Sequence, residues 1–289
     1  MTAPTFASES RRADDIGDRL DQLRANLLNL INEERSVEKV PPVALDDLAT
    51  RVASSHAEDM AKHEYASHWD RDGLKPYHRY SFAGGVHASQ ENVSAADNTW
   101  TTKTPDLLQD TSYLHVRLYQ EKPPNDGHRR AILAPQQTHV GLGIALDKLK
   151  LRVVELFVAK HLEVNSIARK VKANDSLTFT AKLTVPNTYL RVIEVFYEPL
   201  PQEPNIDWLR QPRSYSLPSE SVVLRPKVPP PFLYADGRPG VIEIAKDGTF
   251  RVPIPLFKRQ PGIYTIVTWL ERGSNRKAFP ATEVCVRAE

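Results

Sequence analysis

The sequence predicts an α+β protein in two parts, and three observations support that prediction. Apolar residues of the first half recur at helical spacing, two runs rich in Val, Ile, Leu and Phe follow, and later apolar residues alternate with polar ones between Pro and Gly turns. Helices followed by a hairpin are typical of a helix-and-sheet sandwich. Many short strands without helices are typical of a β-sandwich. We therefore expect a helix-and-sheet domain over residues 13–165 and an all-β, immunoglobulin-like sandwich over residues 166–289.

Three amphipathic helices are predicted in the first part. Apolar residues three and four apart indicate the first helix, over residues 13–35. Two prolines then break the chain, and Asp46 or Asp47 opens a second helix. The third begins at Pro105, because proline is favoured at the first helical position, and continues through Leu118.

Strands are predicted after the helices. Residues 138–146 and 151–159 are joined by a short polar link and indicate a β-hairpin. Period-two alternation and turn residues indicate further strands at 177–185, 191–197, 241–244, 249–254, 263–270 and 282–287. Residues 199–231 contain nine prolines, which favours a long surface excursion rather than a core element.

Composition argues against several classes of protein. Lysine and arginine number 38 against 36 acidic residues, a net charge of +2 without a basic block, so we expect no nucleic-acid partner. No apolar run is long enough for a transmembrane segment, and Met1 to Arg12 lacks the apolar core of a signal peptide. The single cysteine, Cys285, excludes an intrachain disulfide and a cysteine-based metal site.

The most informative segment is the polar, turn-rich run of residues 121–133, which displays His128. Two prolines end the third helix near Glu121, and Asn125 or Asp126 can cap the short helical turn that follows. Ser67-His68 and Glu91-Asn92 are the other polar pieces with matching chemistry. We expect all three pieces to line one cavity.

This set of residues favours a binding site for a divalent cation. Two neutral imidazoles, His68 and His128, suit zinc or another first-row metal, and Glu91 is a candidate general base. A catalytic zinc normally has three protein ligands, so weak metal binding is favoured over metal catalysis. The bland alternatives are that the histidines are structural, that Glu91-Asn92 is a cap or turn, and that Glu121 only closes the third helix.

Residues 20–165 resemble the CAP superfamily of cysteine-rich secretory, antigen 5 and pathogenesis-related proteins, also called SCP-like. Six fragments occur in the family's order with plausible spacing, which makes the match specific although each fragment alone is weak. They are Asn29–Arg35, Leu45 with Leu48 and Ala57–Met60, Ser67-His68, Glu91-Asn92, Gly127–Arg129 with Ile132-Leu133, and Thr138–Gly143. The low cysteine content is similar to the bacterial branch.

The resemblance implies an α-β-α sandwich with a central cleft, in a secreted or cell-surface protein. Family members line that cleft with two histidines and two carboxylates. By position, His68 matches the first histidine, Glu91 the carboxylate of the Glu-Asn motif, and His128 the second histidine, with Asn92 beside them in the cleft. The second carboxylate has no clean match, and the alternatives are Asp110, Thr111 and Glu121.

The resulting expectation is an extracellular ligand-binding module. Its cleft can hold zinc or another divalent cation, and its partner is a lipid or cell-surface ligand. The alternative is a metal-dependent hydrolase, peptidase-like, with His68 and His128 as ligands and Glu91 as base. A third hypothesis, a structural surface protein, predicts that cleft residues can be changed without consequence.

Overall fold

The computed structural model describes residues 6–97, 106–273 and 277–289, which form six helices and thirteen strands. The helices are α1 (Phe6–Val37), α2 (Asp47–Lys62), α3 (Pro76–Phe82), α4 (Leu107–Tyr119), α5 (Gly127–Ile132) and α6 (Ile206–Leu209). The strands are β1 (Ala44–Leu45), β2 (Ala88–Asp97), β3 (His139–Asp147), β4 (Lys150–Ala159), β5 (Leu162–Val164), β6 (Lys170–Val171), β7 (Leu177–Leu183), β8 (Thr188–Glu198), β9 (Glu220–Leu224), β10 (Thr249–Ile254), β11 (Gly262–Arg272), β12 (Ala278–Pro280) and β13 (Val284–Ala288).

The chain divides into two compact units. Unit 1 comprises the residues up to Ser67 together with Glu91–Phe157, and unit 2 comprises His68–Gln90 together with Val158–Glu289. Residues 68–90 thus fall with the β-rich part of the chain. The domain boundaries expected from the sequence, residues 13–165 and 166–289, stay a prediction. Each unit has its own hydrophobic core.

Unit 1 is built on a four-stranded sheet with the order β1-β3-β4-β2, in which β1 runs parallel to β3. Side chains of α1, α4 and α5 share one core with those of β3 and β4. On β3 these are the even-numbered residues Val140, Leu142 and Ile144, because successive side chains of a strand point to opposite faces. This arrangement gives the helix-and-sheet layering that the sequence predicted.

On the opposite face of β3, Gly141 and Gly143 carry no side chains, which lets α2 approach the strand at backbone distance. A Cβ atom on Gly141 would lie 2.1 Å from the Ala49 carbonyl carbon, and one on Gly143 would lie 2.2 Å from that of Ala53. Side chains larger than hydrogen are excluded there, so the two glycines set the spacing between helix and sheet. At the start of α2, the Asp46 carboxylate accepts from the Ala49 N–H at 2.6 Å, which identifies Asp46 as the cap.

A buried arginine joins the end of α1 to the segment after α5. The Arg35 side chain is 0% exposed and donates to the carbonyl oxygens of Pro41, Ile132, Ala134 and Gln137 at 2.5–3.2 Å. Burial lowers the pKa of Arg35 to about 10, which still leaves it charged near neutral pH. Its fixed guanidinium fork thereby holds the loop that follows α5.

Unit 2 contains two sheets whose side chains meet in one core. A three-stranded sheet has the order β10-β7-β5, and a larger sheet has the order β6-β13-β11-β8-β9 with β12 paired to β11. Phe179 and Phe250 from the first sheet share a core with Val195, Ile266 and Val286 from the second. Alternating burial along β7 matches the predicted period of two.

Residues 68–90 are joined to unit 2 by buried polar contacts. The Ser81 hydroxyl of α3 accepts from the Cys285 main-chain N–H at 2.7 Å and from the Arg169 guanidinium at 3.0 Å. At the start of α3, Lys75 and His78 bind the Glu198 carboxylate at 2.7 and 3.1 Å. Burial alone raises the pKa of Glu198, but these two contacts outweigh it and lower that pKa to about 2.

Several sequence predictions need correction at the level of elements. Residues 241–244 form only isolated bridges rather than a strand, and the proline-rich excursion 199–231 contains α6 and β9. Glu91-Asn92 lies within β2, not in a cap or turn. The proposed helix start at Pro105 lies outside the described residues, and α4 is described from Leu107.

Candidate functional site

His128 is the second residue of α5, and Glu121 holds it in place. The carboxylate reaches across the intervening turn, so that Oε1 lies 2.6 Å from His128 Nδ1 and Oε2 accepts from the His128 main-chain N–H at 3.1 Å. Asp126, expected as a cap, makes no capping hydrogen bond and instead pairs with Arg130 at 3.2 Å. Glu121 therefore takes the capping role and orients the imidazole as well.

That pairing fixes the chemistry of the imidazole. When the ring is neutral, its Nδ1 proton is directed to the Glu121 carboxylate, and the lone pair is then on Nε2. A histidine in this state offers Nε2 as a hydrogen-bond acceptor or as a metal ligand. Both side chains are partly accessible, at 33% for His128 and 24% for Glu121.

Asn92 connects β2 to the same helix. Its side-chain Nδ2 donates to the His128 carbonyl oxygen at 3.3 Å and to Glu155 Oε2 at 3.0 Å. Asn92 is 1% exposed and Glu91, the residue before it, is 4% exposed. The predicted cleft residue Asn92 thus anchors the backbone that carries His128, and its amide nitrogen is engaged inside unit 1.

A buried ionic cluster that sequence reasoning missed lies behind Asn92. His115 of α4 is 0% exposed, with Nδ1 2.6 Å from Glu155 and Nε2 2.8 Å from Glu34. Burial alone lowers the pKa of His115, but the two carboxylates outweigh it and raise the pKa to about 10. His115 is therefore an imidazolium at neutral pH.

The other candidates for the second carboxylate position are less well placed. The Thr111 hydroxyl donates to the Leu107 carbonyl oxygen of its own helix at 2.7 Å. The pKa of Asp110 is raised by burial and by Asp106, and it lies on the same helix near its start. Of the three alternatives, Glu121 is the one whose carboxylate contacts His128.

A depression of about 720 Å³ opens on the surface of unit 1 beside Glu121, and its other lining residues come from the end of α4 and the start of α5. Arg129 is one of the lining residues, and its guanidinium lies 4.8 Å from the Tyr119 ring centre and 2.6 Å from Glu38. Lys122 and Asp126 complete a mixed-charge rim. The surface beside Glu121 is thus concave and carries both signs of charge.

His68 belongs to unit 2, where its ring packs edge-on against Tyr215 at 4.8 Å between ring centres. Its carbonyl oxygen accepts from the Arg79 guanidinium at 2.7 Å. The neighbouring Trp69 packs against Trp208 at 5.3 Å. The proline-rich excursion therefore supplies aromatic contacts to the Ser67-His68 segment, a role that its composition did not reveal.

The described residues contain no cluster of three or more His, Cys, Asp or Glu side chains arranged to hold a metal ion. His128 shows the carboxylate-held imidazole that is common in metal sites. Cys285 is not an alternative nucleophile, because burial raises the pKa of its thiol to about 12.

Comparison with known proteins finds a matching family and relatives for the first part of the chain. The family model described as CAP, the cysteine-rich secretory protein family, matches residues 28–158. Cilia- and flagella-associated protein 184 of Tetrahymena thermophila is 25% identical over 162 residues, covering 56% of this chain and 19% of that protein. The uncharacterized protein YkwD of Bacillus subtilis is 23% identical over 142 residues, 49% of each chain. The chain thus spans half or less of the length of these relatives.

Two solved structures are also similar over the same share of this chain. An extracellular protein with an SCP domain from Bacillus anthracis is 23% identical, with a TM-score of 0.35 over 47% of this chain and 41% of its own. An outer surface protein from Borrelia burgdorferi is 16% identical, with a TM-score of 0.39 over 47% of this chain and 92% of its own. Within the part of the chain that the structure describes, no helix has the length and hydropathy to cross a membrane.

Proposed function

Because residues 28–158 form a CAP domain, we propose that this protein is an extracellular ligand-binding module whose ligand contacts His128 and Glu91 of unit 1. His68, assigned to the same set by the family's motif order, is proposed as a further ligand contact. The matching family is described as one of secretory proteins, which supports the extracellular location. We infer that unit 2 is an immunoglobulin-like β-sandwich that presents or anchors the CAP domain.

The observation that carries this proposal is the Glu121–His128 pair. A partly exposed imidazole that only filled space would not need a carboxylate on Nδ1 and on its own main-chain N–H, at 2.6 and 3.1 Å. Fixing the tautomer costs side-chain freedom and is useful when Nε2 must accept from a defined group. The Asn92 bond to the His128 carbonyl at 3.3 Å restrains the same residue from the other side.

The ligand class that we propose is a lipid or a cell-surface polymer. Polysaccharides and glycerol- or sugar-bearing headgroups present hydroxyl groups that can donate to the Nε2 lone pair. The adjacent depression is lined by Lys122 and by Arg129, whose guanidinium also contacts Glu38. Family membership supports a binding role, but it does not by itself transfer a ligand. The mixed charge of the rim favours a polar headgroup or sugar over a purely apolar molecule.

One observation favours the alternative, a metal-dependent hydrolase. Histidines that bind metals commonly donate their second ring N–H to a carboxylate, as His128 does to Glu121. In that case His128 and His68 would hold the ion and Glu91 would serve as general base. A zinc ion in such a site would lower the pKa of a bound water.

Calorimetry separates the two proposals. Metal-stripped protein is titrated with zinc chloride and, in the presence of EDTA, with short-chain phosphatidylcholine, short-chain phosphatidylglycerol and soluble cell-wall polysaccharide. The binding module predicts that one of these organic probes binds in EDTA and that His128→Ala abolishes this binding. Submicromolar zinc binding, worth more than about 8 kcal/mol, that is lost in both His68→Ala and His128→Ala would instead establish the metal site.

A further inference from the structure

An exposed apolar segment lies in unit 2, within the proline-rich excursion. Residues 229–233, Pro-Pro-Pro-Phe-Leu, are all exposed, and the adjacent Phe232 and Leu233 are 67% and 59% accessible. Monomeric proteins expose single apolar side chains routinely, whereas contiguous exposed apolar side chains are a candidate interaction site. We call residues 229–233 the apolar tip.

The apolar tip has a defined backbone structure. The Phe232 N–H donates to the Pro229 carbonyl oxygen, and on the two sides of the loop Val228 N–H donates to Pro239 and Tyr234 N–H to Arg238, each at 2.9 Å. The half-buried Tyr234 also donates its hydroxyl to the Pro226 carbonyl oxygen at 2.9 Å. These bonds keep the apolar side chains of Phe232 and Leu233 exposed to water, which is unfavourable in hydration free energy. That cost favours a role in which a binding partner covers the two side chains.

The same backbone is suited to an apolar environment. Three consecutive prolines carry no N–H groups that would lose hydrogen bonds to water, and the Phe232 N–H is already paired within the loop. Unpaired backbone N–H groups, like unpaired carbonyl groups, add to the cost of placing a loop in lipid. The apolar tip has few of them to desolvate.

Charged residues border the apolar tip with an excess of positive charge. Arg225 pairs with Asp236 at 2.5 Å, and Lys227 pairs with Glu243. Arg238 forms no ion pair within the described residues, but it helps to lower the pKa of the Asp236 carboxyl, so the loop carries three basic side chains against the two acidic ones. Long basic side chains next to an apolar segment can reach anionic lipid headgroups while the segment enters the interface.

We propose that the apolar tip inserts into the interfacial layer of an anionic phospholipid bilayer, with Arg238 contacting the headgroups. A protein partner fits less well, because specific interfaces bury about 800 Å² per partner and two protruding side chains supply only a fraction of that area. Shallow insertion needs no complementary surface, only a wedge of apolar side chains and a cationic border. This proposal concerns unit 2 and does not depend on the ligand of the CAP domain.

Vesicle flotation tests the proposal with a matched control. The full chain is mixed with vesicles of phosphatidylcholine alone or of phosphatidylcholine with phosphatidylglycerol. We expect the wild type to float with the anionic vesicles and Phe232→Ser/Leu233→Ser to bind them about 10-fold more weakly or worse. The control, Leu146→Ser/Leu149→Ser, changes two leucines of unit 1 that are 41% and 47% exposed, and it should bind like the wild type.

Two further variants make the result specific. In Phe232→Trp, the tryptophan emission should shift to shorter wavelength on addition of anionic vesicles, which reports entry of residue 232 into the apolar layer. Arg238→Gln should reduce the preference for anionic over zwitterionic vesicles. The proposal is overturned if the wild type does not float, if both double variants bind equally, or if the apolar tip instead drives self-association measured by sedimentation without lipid.

Discussion

At His115, two ion pairs oppose the cost of burial, and their balance predicts how the stability of unit 1 depends on pH. The folded-state pKa of about 10 lies above the ordinary 6.5, so the stabilisation is fully present below pH 6.5 and is lost as the pH rises to about 10. His115→Gln leaves Glu155 buried without its cation and should lower the stability of unit 1 by about 3 kcal/mol at pH 6.5.

Guanidinium unfolding from pH 6.5 to pH 10 measures this effect. The gap between wild type and His115→Gln should narrow steadily across that range. His63→Gln is the control, since His63 is partly exposed and contacts Asp59 within one helix turn at 3.1 Å; it should cost less than about 0.5 kcal/mol. A gap for His115→Gln that is constant with pH would show that His115 is neutral in the folded protein.

Glu283 is a second buried ionisable group with a consequence for stability. Burial raises the pKa of its carboxyl group from 4.5 to about 8, although Ser89 donates to it through its main-chain N–H at 2.9 Å. A raised folded-state pKa means that this contribution to stability is greatest below pH 4.5 and declines as the pH rises to about 8.

Glu283→Gln should therefore stabilise unit 2 at alkaline pH. The uncharged amide oxygen can still accept from Ser89 and carries no desolvation cost for a charge, so we expect a gain on the order of 2 kcal/mol at pH 8.5 and little change at pH 4.5. Urea unfolding at the two pH values checks this. Glu163→Gln, a substitution at an exposed residue of β5, should have the same small effect on stability at both pH values. A loss of stability at pH 8.5 would contradict the account.

Individual residues show how much of the candidate site could be predicted from the sequence alone. The pattern around His128 predicted a short helical turn that displays an imidazole, and the structure confirms that turn. It did not reveal that Glu121 would act as both cap and ring partner, because a carboxylate seven residues away reaches the ring only through the fold of the intervening turn. The partners of His115, Glu34 and Glu155, are 81 and 40 residues away, and nothing in local spacing could pair them.

At the scale of elements, the contact between α2 and β3 depends on two glycines. Gly141→Ala would place a Cβ 2.1 Å from the Ala49 carbonyl carbon, which forces helix and sheet apart. We expect a loss of at least about 3 kcal/mol in the unfolding free energy of unit 1. Gly127→Ala is a suitable comparison, since a Cβ added at that position would meet no atom within 4 Å. Thermal unfolding by circular dichroism measures both, and equal melting temperatures would contradict this packing.

Elements with strong periodicity were predictable, and those set by long-range pairing were not. The stripe of α1 and the β3–β4 hairpin follow from local apolar spacing. β2 went unpredicted because its sequence, Ala-Ser-Gln-Glu-Asn-Val-Ser-Ala-Ala-Asp, has little apolar alternation. It is a strand because it pairs with β4 in the sheet, and tertiary pairing overrides weak local preference. β9 likewise forms by antiparallel pairing with β8.

At the scale of the whole molecule, composition predicted a helical and an all-β part, and residues 68–90, which chain order places in the first part, pack with unit 2. Their turn-rich sequence gives no sign of their core, whereas Ser81, Lys75 and His78 bind residues of unit 2 that are more than 100 positions away. Six ordered motifs pointed to the CAP family from the sequence alone, and the family model matches residues 28–158. Neither the motifs nor the family match identifies the ligand of the domain.

The central claim is that Glu121 holds His128 in the tautomer that leaves Nε2 as the acceptor. Long-range proton–nitrogen NMR of the histidine rings at neutral pH measures this directly in the wild type, in Glu121→Ala and in Glu38→Ala, a neighbouring carboxylate that contacts Arg129 instead. The account predicts that wild type and Glu38→Ala carry the proton on Nδ1 and that Glu121→Ala shifts it toward Nε2. An Nε2–H tautomer in the wild type, or no change in Glu121→Ala, would contradict it.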